Sequence, residues 1–140
     1  MSSEIIHSEE APKPVGLYPH ARRVGNLVFL SGIGPRSATD NSIPGNVYDE
    51  RGDLQSYDIE AQCHAVFKNV KAVLESAGCK WEDLVDVTVF LTNMKDDFAT
   101  MNQLYSDYFD SARPCRTTVE VGSLPTPIAI ELKCIAVSAS

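Results

Sequence analysis

Two charged residues stand in the most strand-like part of the chain. Arg116 and Glu131 lie within the run Arg113–Val137. There Thr117, Val119 and Val121 alternate with Arg116, Thr118 and Glu120, and further on Ile128, Ile130, Leu132 and Cys134 alternate with Ala129, Glu131, Lys133 and Ile135. Period-two alternation on both sides of a turn reads as two β-strands. A guanidinium is a rigid fork that matches a carboxylate ligand, and a carboxylate beside a partly dry pocket can take a proton from water. Such a pair begins an anion-binding, hydrolytic site. A plain cross-strand ion pair on a solvated face gives the same pattern, and pattern alone favours it.

The elements that must position this pair follow from the rest of the chain. Gly122-Ser123-Leu124-Pro125-Thr126-Pro127 reads as the turn of a hairpin, because glycine supplies unusual dihedrals and the two prolines remove backbone donors. With Val121 opposite Ile128, Arg116 and Glu131 become diagonal neighbours on one face. Residues 1–15 form an irregular, proline-broken lead-in around a short strand at 4–7. Gly25-Asn26 signals a two-residue hairpin turn leading into the apolar run Leu27–Leu30. Residues 33–57 read as one long loop. From Asp58, a plausible N-cap, Ile59, Cys63, Val66, Phe67, Val70, Val73, Leu74 and Ala77 keep helical spacing, with Gly78 at the C-terminal position. His64 lies off that stripe. A strand over 85–91 and a second helix, with Phe98, Met101, Tyr105, Tyr108 and Phe109 as its apolar stripe, complete the pattern. The order predicts an α+β domain with helices on one face of a mixed sheet.

With 140 residues and 44% hydrophobic content, one domain over residues 1–140 is expected. The net charge of −7 repels phosphate backbones and anionic membranes, so nucleic acid and membrane surfaces are not expected partners. No apolar run approaches the ~20 residues of a membrane span and no export signal opens the chain, which predicts a cytoplasmic protein. Cys63, Cys79, Cys115 and Cys134 show no C-x-x-C spacing and are expected as buried free thiols; His7, His20 and His64 are scattered, so no metal site is expected.

The run R-x-x-V-E-V-x-x-L-P from Arg116, followed by I-E-L-K-C-I-A-V, resembles the C-terminal signature of the RidA (YjgF) family of enamine and imine deaminases. The resemblance extends from Gly16 to Val137. It implies a chorismate-mutase-like fold, with a six-stranded mixed sheet and two helices on one face, assembled as a homotrimer or a dimer of trimers with active sites between subunits. It gives Arg116 the substrate carboxylate and Glu131 the attacking water. Ser31-Gly32 matches the strand end whose glycine N–H helps hold the carboxylate, Tyr18 the pocket tyrosine, and Asn102, in D-F-A-T-x-N, the pocket asparagine at the subunit boundary. Thr118, where many members carry Cys, and Ser123, where Arg is frequent, depart from the usual pattern.

The segments Gly16–Arg23, Ser31–Arg36 and Ile43–Gly45 resemble the 2-aminomuconate deaminase branch. That branch acts on a six-carbon dicarboxylic enamine from aromatic-ring breakdown, giving 4-oxalocrotonate (a 2-oxo-hexenedioate) and ammonia without a cofactor. A second carboxylate calls for a second cation, for which His20, Arg22, Arg23 and Arg36 are the candidates and Arg23 the preferred one. A general 2-iminopropanoate/2-aminoacrylate deaminase and a non-enzymatic small-ligand binding module remain as alternatives.

Overall fold

A computed structural model describes residues 3–138. Its main sheet is built from β1 (Ser3–Ile6), β2 (Ala21–Val24), β3 (Leu27–Leu30), β6 (Leu84–Leu91), β7 (Cys115–Glu120) and β8 (Ile130–Val137), and a separate ribbon from β4 (Val47–Tyr48) and β5 (Leu54–Ser56). The spatial order is β1-β2-β3-β8-β6-β7, with β6 and β7 parallel and every other neighbouring pair antiparallel. A parallel pair needs a crossover, and the second helix supplies it.

The helices begin and end where the chain satisfies their terminal groups. α1 (Ile59–Ser76) starts at Asp58, whose side chain accepts from the Ala61 N–H, and stops before Gly78 at φ 74°. α2 (Met94–Tyr108) starts at Asn93, whose side chain accepts from the Asp96 N–H. The stripe Cys63, Val66, Phe67, Val70, Val73 and Leu74 of α1 is buried, as are Met101 and Tyr105 of α2. These pack on one face of the sheet against Val28, Leu30, Val87, Val89, Leu91, Ile130, Leu132 and Cys134, all fully buried. Each fully buried Leu or Ile side chain contributes about 1.5–3 kcal/mol. The expected six-stranded mixed sheet with two helices on one face is therefore the fold of the chain, and Gly25, at φ 61°, makes the expected tight turn between β2 and β3.

The C-terminal hairpin is not formed. β8 lies between β3 and β6, and β7 pairs with β6 alone. Alternation identifies a strand but carries no information on its neighbour. The difference lies in burial: every second residue of β8 is buried, as befits a central strand, whereas no residue of β7 is. Two smaller expectations also change. The loop over 33–57 contains the β4–β5 ribbon, turned by Asp49, whose Oδ1 accepts from the Arg51 and Asp53 N–H groups, and by Gly52 at φ 86°. Cys115 is exposed rather than buried, because it starts the edge strand, while the other three thiols are buried and free.

Candidate active site

Register places Arg116 beside Val87 on β6 and Glu131 beside Phe90. Side chains alternate faces along a strand, and positions 87 and 90 differ by an odd number, so the two charges lie on opposite faces of the sheet. Val87 is buried against the helices; Arg116 therefore looks toward the helix layer and Glu131 away from it. Two strand spacings, about 10 Å, also separate β7 from β8. A single chain thus holds two candidate half-sites, one on each face.

The first half-site is built on β8 and the strand end after β3. Reciprocal backbone bonds between Ile33 and Leu132, of 2.8 and 2.9 Å, dock Gly32 beside Glu131. The approach is so close that a Cβ at position 32 would stand 2.5 Å from Glu131 Oε2. Glycine at this position leaves the Glu131 carboxylate its place, an effect of contact rather than of dihedral angle. Tyr18, Gly32, Gly34, Arg36, Ile128 and Glu131 line one small cavity of about 40 Å³. Burial raises the Glu131 carboxyl above the ordinary carboxylate range. Ser31 supports the cavity from behind: its hydroxyl donates to Pro19 O at 2.7 Å and its N–H to His20 O at 2.9 Å, which fixes the segment carrying Tyr18. The Tyr18 hydroxyl accepts from the Val15 N–H at 3.2 Å.

The second half-site is built on β7 and α2. The Arg116 guanidinium carbon stands 4.6 Å from the centroid of the Tyr105 ring and 5.9 Å from that of Phe98. Both distances allow cation–π attraction. Phe98, Asn102 and Tyr105 are at i, i+4 and i+7 on α2, so Asn102 lies on the face that meets Arg116. Two buried hydroxyls, those of Tyr105 and Thr118, have no hydrogen-bond partner among the described residues; Thr118 shares the face of Arg116 two residues along. Burial pushes the Tyr105 phenol up to about 12, against the smaller opposing effect of the Arg116 charge.

The sequence-derived candidates thus fall into three groups. Tyr18, Ser31, Gly32 and Glu131 come together on one face, and Arg116 and Asn102 on the other. His20 and Arg23 are held by the chain itself. His20 is buried and borders an adjoining cavity, but its Nδ1 accepts from the Ser8 N–H at 3.0 Å and its Nε2 stands 2.8 Å from Pro12 O, which assigns the ring proton to Nε2. Arg23 pairs with Glu4 at 3.2 Å and donates to Ala77 O at the C-terminus of α1, where the helix dipole favours a cation. It faces the helices, away from Glu131, so its position does not fit the second-carboxylate role. Phe98 and Tyr105, read from sequence only as core, are the platform for Arg116; the signal was their spacing around Asn102.

A family model described as endoribonuclease L-PSP matches residues 8–138. The chain is 42% identical over 136 residues to a RutC family protein of Pyrococcus abyssi, covering 97% of this chain and 98% of that one. It is 37% identical over 134 residues to a protein of Dermatophagoides farinae named 2-iminobutanoate/2-iminopropanoate deaminase, covering 95% and 94%. Among solved structures, a putative endoribonuclease of Thermotoga maritima superposes with a TM-score of 0.84 at 36% identity, covering all of both chains.

Proposed function

The chain belongs to the RidA/YjgF (endoribonuclease L-PSP) family, and from that premise we propose that it hydrolyses 2-imino acids, formed from their enamine tautomers, to 2-oxo acids and ammonia. The observation that carries this reading is Glu131: a half-buried carboxyl of raised pKa, set against the Gly32 backbone in a cavity shared with Tyr18. A base whose pKa is moved toward neutrality is better matched to proton transfer at neutral pH.

In this mechanism Arg116 and the Gly32 N–H hold the substrate carboxylate, which fixes the imine carbon near the water. Glu131 takes a proton as water adds to the C=N carbon, giving a carbinolamine. It passes that proton to the imine nitrogen to complete the carbinolamine. It then takes the hydroxyl proton as C=O forms and delivers it to the same nitrogen as the C–N bond breaks, so that ammonia leaves and the carboxylate is regenerated. Because the half-sites lie on opposite faces, the proposal places each active site between two chains, with Arg116 and Asn102 from one and Tyr18, Gly32 and Glu131 from its neighbour. The exposed apolar side chains Leu27, Phe29 and Val119 on the sheet face away from the helices, and Val15 and Leu17 beside Tyr18, support such an assembly.

A dicarboxylate such as 2-aminomuconate is a second reading. It is favoured by Arg36, which lines the Glu131 cavity and whose guanidinium is held only by exposed hydrogen bonds to Asn41 Oδ1 and Lys13 O among the described residues, bonds that a second carboxylate would displace. RNA cleavage is disfavoured by the net charge of −7. The test is ammonia release from 2-iminopropanoate, generated by an amino-acid oxidase, set beside release from 2-aminomuconate. Turnover of either supports a deaminase, and turnover of neither removes the proposal.

A further inference from the structure

The outer side of the helix layer carries a second cavity, of about 430 Å³, lined in part by His64, Phe67, Lys68, Lys71, Trp81 and Tyr108. That size is typical of small-molecule sites. Its aromatic wall is fixed in place: the Trp81 indole N–H donates to Tyr108 O at 2.8 Å, the Trp81 and Phe109 ring centroids are 4.7 Å apart, and those of Phe67 and Tyr108 are 4.6 Å apart. The rim beside that wall carries Lys68 and Lys71 of α1, and His64, whose Nδ1 stands 2.6 Å from the Tyr108 hydroxyl, joins the helix to the wall. His64, Lys68 and Lys71 stand at i, i+4 and i+7 along one flank of α1, and among the described residues neither lysine has an ion-pair partner. Lys68 and Lys71 are three residues apart on α1, where like charges weaken a helix, and an anion between them would relieve the repulsion. The acidic group on the rim, Glu82, is engaged by the Ser111 hydroxyl at 3.1 Å. A cationic rim over an aromatic wall, on a chain of net charge −7, selects a ligand that is both flat and anionic.

We propose that this cavity binds a small aromatic carboxylate, its ring against Trp81 and Tyr108 and its carboxylate between Lys68 and Lys71. The site is separate from the deaminase half-sites.

Trp81 is the only tryptophan of the chain, so its emission reports on this cavity alone. The full-length protein is titrated with benzoate, with benzamide (the ring without the charge) and with cyclohexanecarboxylate (the charge without the flat ring), followed by tryptophan emission and by calorimetry. The expected result is saturable binding of benzoate with Kd of about 1 mM or tighter, and binding about tenfold weaker for each of the other two probes and for the Lys68→Glu/Lys71→Glu variant. No saturation in either readout, equal binding of the three probes, or an unchanged Kd in the variant would each overturn the proposal. Binding is read without turnover, so the outcome is independent of the deaminase reading.

Discussion

Arg116 and Glu131 sit on opposite faces of the same sheet, separated by β6 and by an odd step in its register. The proposed reaction, which needs both, therefore needs two chains.

Complementation between inactive chains follows. Arg116→Ala and Glu131→Gln are each expected to abolish deamination. Co-expression of the two variants should restore activity, to about a quarter of wild type for random mixing in a cyclic oligomer, because one interface in four then combines both intact halves. Ammonia release from the purified mixture checks this, and absence of recovery at every mixing ratio would refute sites shared between chains.

Gly32→Ala separates positioning from stability. The added Cβ would stand 2.5 Å from Glu131 Oε2, so the carboxylate must move. Restoring ordinary contact takes a shift of about 1 Å, which costs on the order of a hundredfold in turnover. The atom displaced is the far end of a side chain, so the melting temperature should move little. Kinetics and thermal unfolding on one preparation test both statements.

Titration of Glu131 has a definite sign. Its folded pKa lies above the unfolded value, so the folded state holds the proton longer and stability falls as pH rises from about 4.5 through the folded pKa. Glu131→Gln should therefore melt higher than wild type at pH 7 and level with it below pH 4.5. Turnover should rise with pH over the same window. Melting curves at the two pH values and a kcat/KM profile check the pair; a variant less stable at pH 7 would contradict it.

Gln62 ties the turn before β8 to α1. It is fully buried, its Oε1 accepts from the Ala129 N–H at 2.8 Å, and its Nε2 donates to Asn46 Oδ1 at 3.0 Å. Gln62→Met keeps the volume and leaves both partners unsatisfied, a loss of about 1–3 kcal/mol each where the partner is buried. A lower urea midpoint with an unchanged m-value is the expected result.

The helices were legible in the sequence because their signals are local: Asp58 before the stripe, Gly78 after it, and apolar residues at three-and-four spacing. The Gly25 turn was legible for the same reason. Pairing was not, because β8 meets β3, far away in sequence, as well as β6. Placing Arg116 and Glu131 on one face depended on that pairing and failed with it. The engagement of Arg23 by Ala77 O is not legible in sequence, because a guanidinium near a pocket motif looks the same there as one that meets the C-terminus of a helix.

β8 also governs how the molecule can assemble in time. The ribbon β1-β2-β3 and the pair β6-β7 share no hydrogen-bonded strand until β8, last of the eight to be made, slides between them. Sheet closure therefore waits for the most distant contacts in the chain, the slow kind in folding. The strand that delivers Glu131 is also the one that joins the two halves, so the proposed hydrolytic base arrives only with a finished sheet.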